Sequence, residues 1–137
     1  MQDIKIGLAE DHKNYRDVLK MILAFTPYLE LVIVAANGQE LLDKMKFTEV
    51  DVVILDNSMP ILNGMETVKQ LKQVHPFVKT IILSSNNDNE VVRKYAQLGA
   101  NSYLLKNTDF KILVATIQSV HAFGISPSDM FHFQKLA

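Results

Sequence analysis

Apolar and polar positions along the chain alternate between two periods. Short runs rich in β-branched and aliphatic residues, IKIGL (4–8), LVIVAA (31–36), VDVVIL (50–55), TIILS (80–84) and NSYLL (101–105), read as strands. Between them apolar residues recur three or four positions apart: Tyr15, Val18, Leu19 and Ile22; Leu41, Leu42 and Met45; Met65, Val68 and Leu71; Val91, Val92, Tyr95 and Leu98; and finally Phe110, Leu113, Ile117 and Val120. That spacing predicts helices, each with one apolar stripe. Thr26-Pro27, Asn37-Gly38, Asn63-Gly64, His75-Pro76, Gly99 and Gly124 fall at the joints, where turn formers and helix stops belong.

Five strand-helix units with near-continuous apolar strands predict an α/β protein, a doubly wound five-stranded parallel sheet with helices on both faces. Right-handed crossovers leave few topologies, and the flavodoxin-like strand order 2-1-3-4-5 is the expected one. The 137 residues suffice for one domain that hides roughly two-thirds of its unfolded surface. The five units occupy residues 1–124. Residues 125–137, ISPSDMFHFQKLA, are expected to be a tail or the start of a linker, with Ser126-Pro127-Ser128-Asp129 able to begin a short helix.

Composition then removes several function classes. Fourteen Lys and Arg stand against fifteen Asp and Glu, without the basic stripe that neutralises a phosphate backbone, so direct nucleic-acid binding by this chain is not expected. There is no Cys, which excludes disulfides and thiolate metal sites. No apolar run approaches the ~20 residues that span a bilayer, and the first residues lack the pattern of a secretory leader. The expectation is a cytoplasmic chain without membrane contact.

In the order 2-1-3-4-5, ligands bind beyond the carboxyl ends of the strands, near the switch point between strands 1 and 3. Strand 1 runs into Glu10-Asp11, strand 3 into Asp56, strand 4 into Ser84 and strand 5 into Lys106, whereas strand 2 ends in Ala35-Ala36. Neighbouring strands lie about 4.8 Å apart, so Ser84 would sit one strand from Asp56 and Lys106 two. Only a long side chain closes the second gap. Three carboxylates in one hollow repel by about 4 kcal/mol per pair at ~4 Å and an effective dielectric near 20, which demands a cation. Oxygen donors without His or Cys suit a hard ion, and Mg2+ fits one or two carboxylates completed by water and a phosphoryl oxygen.

These parts fit a carboxylate nucleophile that accepts a phosphoryl group. Asp56 would attack, Lys106 would hold charge, the Ser84 hydroxyl would donate to a phosphoryl oxygen, and the small Ser85 would leave room. Each residue also has an ordinary reading. An Asp after a buried strand is commonly a helix cap or turn former, Glu10-Asp11 suit a helix first turn, Ser84 can satisfy local backbone, and Lys106 can lie solvated over apolar surface. Tyr103 is by itself a partly buried rim residue. His12, His75, His121 and His132 show no metal-ligand spacing. Joint placement in a single strand order favours the site over independent capping.

With LAEDH, VVILDNSMPILNGME, TIILSS and GANSYLLK in these positions, the chain resembles the receiver domain of two-component response regulators, from about Ile4 to Gly124. The resemblance implies Glu10 and Asp11 as the acidic pair, Asp56 as phosphoacceptor, a Ser58 backbone carbonyl completing the Mg2+ shell, Ser84 and Lys106 as the active-site hydroxyl and lysine, and Tyr103 as the aromatic switch. It implies a sensor histidine kinase or phosphotransfer protein as donor, a weak homodimer as a further partner, and a changed helix 4, strand 5, helix 5 face as the output. The domain would catalyse only its own phosphorylation and dephosphorylation. Where many receivers have proline after the lysine, Asn107 stands here, and a trans bond is expected because cis before a non-proline residue costs about 3–4 kcal/mol. The sequences GANSYLLKN and SPSD resemble regulators with a LuxR-type helix-turn-helix output, so the parent would control transcription.

Other readings stay open at this point. A stand-alone receiver would act by protein binding. A haloacid-dehalogenase-type phosphatase needs a second Asp two residues after its nucleophile, and that position is Ser58. A flavodoxin-like electron carrier needs a phosphate loop where AEDHKN stands. A pseudo-receiver would keep the fold without phosphorylation.

Overall fold

The computed structural model describes residues 2–125. Five strands, β1 (Ile4–Ala9), β2 (Leu29–Ala35), β3 (Val52–Asp56), β4 (Lys79–Ser84) and β5 (Ser102–Leu105), alternate with five helices, α1 (Lys13–Ala24), α2 (Gly38–Met45), α3 (Gly64–Val74), α4 (Asn89–Leu98) and α5 (Phe110–Phe123). The sheet is parallel in all its pairings, in the order β2-β1-β3-β4-β5. This is the doubly wound, flavodoxin-like arrangement expected from the hydrophobic pattern. The expected helix start at Ser126-Pro127 lies outside the described residues.

The strand pleat divides the core in two. Val52 and Ile54 of β3 pack with Leu19 and Leu23 of α1 and Leu113, Ile117 and Val120 of α5. Val53 and Leu55 face the other way, against Leu41, Val68, Val92 and Tyr95 of α2, α3 and α4. Every residue of β3 is buried, which is why its sequence lacks the polar alternation of a half-exposed strand.

Helix starts follow local chemistry. The side chains of Asn37, Asn63, Asp88 and Asp109 each accept a backbone N–H from the first turn of α2, α3, α4 and α5, satisfying donors that helices leave unpaired. Helix α1 is the exception. Its N-cap is His12, with no side-chain cap bond and no acid in its first turn, so Glu10 and Asp11 are not spent on capping.

One strand boundary and one helix face differ from the expectation. Strand β2 begins at Leu29 rather than residue 31, because Leu29 pairs with Ile4 directly after Tyr28, whose φ is 70°. A non-glycine residue in that left-handed region turns the chain, and hydrophobic periodicity does not register it. Helix α1 buries Leu19 and Leu23 while Val18 is 44% exposed, so its apolar stripe is rotated from the one expected.

Glycine at position 64 was expected to serve a turn, yet Gly64 does not have positive φ; among the described glycines only Gly99 and Gly124 do. Its requirement is space. A Cβ there would lie 2.8 Å from the Asp56 carbonyl oxygen and 3.0 Å from Asn57 Cα, backbone atoms that cannot rotate away. Gly64→Ala is therefore expected to destabilise the fold by about 3 kcal/mol through overpacking, measured as a fall in the urea midpoint with an unchanged slope. The same change at a merely propensity-limited helical glycine would raise it.

Candidate functional site

Three strands end at one pole, and the residues just past them converge. From β1 come Glu10 and Asp11, β3 closes on Asp56, and Lys106 follows β5. The Lys106 Nζ lies 2.8 Å from Glu10 Oε1 and 3.2 Å from Asp56 Oδ2. Glu10 is 1% and Asp56 4% exposed. Oxygens of Glu10, Asp11 and Asp56 lie within 4.8 Å of one another, together with a nitrogen of His12, an exposed side chain to which the sequence assigned no chemistry.

The carboxylates are unequal. Burial, followed by hydrogen bonding to Glu10 and Asp11 and the charge of Glu10, pushes the Asp56 carboxyl up to about 7, against the opposing charge of Lys106. Asp11 moves the other way: burial would raise it, but hydrogen bonding with Asp56 and Glu10 and to its own backbone outweighs that and lowers it. For Lys106, burial disfavours the ammonium, yet Glu10 and Asp56 overcome this and hold its pKa above the usual lysine value. A cluster that keeps one acid near neutral pH and another ionised is the signature of like charges sharing a hollow.

Backbone and side-chain bonds set each group. Asp56 Oδ1 accepts the Ser58 N–H at 3.2 Å, a turn bond of the ordinary kind that an Asp makes; helix α3 itself is capped by Asn63. Ser58 is exposed in the loop after β3. Ser84 is 2% exposed, its Oγ accepting the Asn86 N–H at 3.0 Å. Tyr103 is 1% exposed, more deeply buried than a rim residue, and its hydroxyl donates to the Asn86 carbonyl. The loop after β4 is thus held at one residue by both Ser84 and Tyr103. No cis peptide occurs among the described residues, so Lys106-Asn107 is trans.

Several contributors escaped the sequence reading. Tyr15 and Tyr95 were read as helix-stripe residues. The Tyr15 hydroxyl donates to the Lys106 carbonyl at 3.3 Å, and its ring centroid is 5.1 Å from Lys106 Nζ. Burial, with the charges of Glu10 and Asp56, pushes the Tyr15 hydroxyl up to about 12. Arg16 Nη1 donates to the Glu10 carbonyl at 2.8 Å. Tyr95, fully buried, donates to Asn57 Oδ1, beside Asp56, and its ring stands 5.8 Å from that of Tyr103. Ile61 has φ of 69° and is bridged by a Leu62 N–H to Pro60 carbonyl bond of 2.7 Å. This is a γ-turn of the rare, strained hand, in the loop that leaves Asp56. A hydroxyl reaching off a helix stripe leaves no mark in periodicity.

A cleft of about 530 Å³ opens in front of Lys106, between Tyr15 and the loops carrying Ser84, Ser85 and Asn107. The three carboxylates of the cluster fit a hard divalent cation, and Asp11 Oδ1 is buried without a hydrogen-bond partner, a cost that a bound cation would remove. Glu10, Asp11 and Asp56 would hold it. No helix among the described residues is long and apolar enough to cross a membrane.

The comparisons with known proteins agree with this architecture. Residues 6–118 match the family model described as response regulator receiver domain. The transcriptional regulatory protein LnrK of Bacillus subtilis (strain 168) is 33% identical over 122 residues, 89% of this chain and 56% of that protein. DegU of Brevibacillus brevis, also named a transcriptional regulatory protein, is 33% identical over 117 residues, 85% of this chain and 50% of its own length. The chain therefore spans about half the length of the curated relatives it matches. A LuxR-family two-component response regulator from Aurantimonas sp. SI85-9A1 superposes with a TM-score of 0.85 at 24% identity, covering 91% of this chain and 89% of that one; at that identity the likeness speaks for the fold. With the family match running from within β1 through β5 and taking in the acid-bearing pole, this chain belongs to the response regulator receiver domains, the receivers of two-component systems.

Proposed function

We propose that this receiver is a phosphorylation-dependent switch in which Asp56 accepts a phosphoryl group from a phosphohistidine of a sensor histidine kinase or phosphotransfer protein. The supporting observation is the Lys106 ammonium seated between Glu10 and Asp56, at 2.8 and 3.2 Å, with Asp11 in the same cluster. An Asp56 carboxylate oxygen forms the new bond to phosphorus while the bond from phosphorus to the histidine nitrogen breaks, its electron pair leaving with the imidazole. Such a transfer needs in-line placement and charge neutralisation more than proton transfer. Mg2+, held by Glu10, Asp11, Asp56 and the Ser58 carbonyl, would supply that neutralisation. Lys106 provides a fixed positive charge on the side of Asp56 Oδ2.

Ser84 would follow the phosphoryl oxygen, giving up the Asn86 N–H that it now accepts. Because Tyr103 holds the Asn86 carbonyl, that movement disturbs the contact between the loop and β5. The consequence is a changed surface around α4, β5 and α5, the face that would control an output in the parent protein, probed as a two-state equilibrium. In this reading residues 1–124 are the receiver and 125–137 the connection to whatever follows. The parent would act in transcription, as the names of the relatives LnrK and DegU state for those proteins, with a weak homodimer of the receiver and a cytoplasmic location. The domain turns over no separate substrate.

The test is intact mass after incubation with acetyl phosphate and Mg2+. The wild type is expected to gain one phosphoryl group, absent with Asp56→Asn and after chelation. An unchanged wild-type mass across acetyl phosphate, carbamoyl phosphate and phosphoramidate would remove this reading.

A further inference from the structure

We infer that Tyr15 is the positioning residue for Lys106, and that its ring, rather than its hydroxyl, sets where the ammonium stands. The inference rests on the phosphoryl-accepting reading of the site and deepens it. Lys106 hangs from the loop after β5 and must reach across β4 to the end of β3, two strand spacings or nearly 10 Å. A lysine side chain has four rotatable bonds and a strongly hydrated head, so reaching that far in one conformation needs contacts along the way.

Tyr15 touches the same residue at both ends. Its hydroxyl donates to the Lys106 carbonyl at 3.3 Å, across 91 positions of sequence, and its ring faces Lys106 Nζ at 5.1 Å. That distance lies within the range of attraction between a cation and an aromatic face. Glu10 and Asp56 hold the ammonium on its other sides. The carboxylates alone would tolerate many positions of a flexible ammonium, whereas a ring fixed on the first turns of a helix gives it a wall.

The placement of Tyr15 in the chain strengthens the case. Helix α1 begins two residues after Asp11, so its first turns are anchored to the acid pair. The next residue, Arg16, donates to the backbone carbonyls of Glu10 at 2.8 Å and Asp11 at 3.4 Å. Consecutive side chains thus fix the two halves of the site: Arg16 the backbone bearing the acids, Tyr15 the lysine that answers them. The ring also lines the cleft in front of Lys106, where its loss would admit water to the ammonium and weaken its field on an incoming phosphoryl group.

Two variants separate the ring from the hydroxyl. Tyr15→Leu is expected to lower the saturating rate of phosphorylation by acetyl phosphate about tenfold, which corresponds to about 1.4 kcal/mol of barrier, with the half-saturating donor concentration within twofold. Tyr15→Phe is expected to recover most of that rate. Independently of any phosphoryl transfer, the ε-methylene protons of Lys106 in lysine-labelled protein are expected upfield by ring-current shielding in the wild type and in Tyr15→Phe, and at ordinary lysine positions in Tyr15→Leu. Absence of that shielding in the wild type, or a wild-type rate in Tyr15→Leu with Lys106 shifts unmoved, would overturn the inference. A wild type that shows the shielding but takes no phosphoryl group would instead sink the phosphoacceptor reading and leave Tyr15 as the lysine platform.

Discussion

Asp56→Asn is expected to unfold at a higher temperature than the wild type at pH 8 in the absence of divalent cations, by about 5–10 °C for about 2 kcal/mol in a domain of this size. The reason is the direction of the Asp56 shift. Its carboxyl titrates near 7 in the folded protein, against the ordinary value of 3.8, so the fold disfavours the charged form. A group with a raised carboxyl pKa adds no penalty below its unfolded value; the penalty grows as pH rises through the window from about 4 to about 7 and is complete above it. Taken whole, three pKa units would be worth about 4 kcal/mol, and roughly half is expected because the Asn amide must still be satisfied beside Glu10 and Asp11. The gap between variant and wild type should therefore close as the buffer is taken to pH 4.5. A gap of the same size at every pH would mean that charge is not its origin. Millimolar Mg2+ should also narrow it, by stabilising the wild type through binding.

Lys106→Ala is expected to act in the opposite direction and more strongly. Removing one partner of a buried ion pair leaves the others uncompensated, which typically costs about 3–5 kcal/mol. Here two acids lose their cation together, since Nζ stands 2.8 Å from Glu10 and 3.2 Å from Asp56. At pH 8 the variant should lose about 3 kcal/mol, less as the pH falls and the carboxyls take up protons in place of the lysine. Combining it with Asp56→Asn should return much of the loss, because one of the stranded charges is gone, giving a coupling energy well outside the error of additivity. Phosphoryl acceptance by Lys106→Ala should fall by about 100-fold or more, the usual cost of removing one fixed charge-stabilising group. Denaturant titrations of the four proteins at two pH values decide the stability claims; strictly additive free energies would refute them.

The sheet was legible because β3 is buried on both faces and each helix carries a stripe, so period and punctuation together located every element. The convergence of Glu10, Asp11, Asp56 and Lys106 was legible for a different reason: topology brings strand ends together regardless of their distance in sequence. What periodicity could not convey was orientation at the ends of side chains. Tyr15 and Tyr95 read as core spacing, and both are packed against the core, but their hydroxyls reach Lys106 and Asn57. Gly64 read as a turn former because glycine has two uses, conformational freedom and small size, and the sequence does not distinguish them. Leu29 was missed since its burial depends on pairing with Ile4 and on the left-handed Tyr28 before it.

Asn86 is clasped twice, its amide by Ser84 and its carbonyl by Tyr103. Linkage of this kind runs in both directions with equal strength. A protein that docked on the outer surface and pulled the Tyr103 hydroxyl away would retune the acidic pocket's affinity for a phosphate-mimicking anion such as beryllofluoride, by the same factor that the anion retunes the docking. If the proposed output face holds a partner, that partner would also be a regulator of the input.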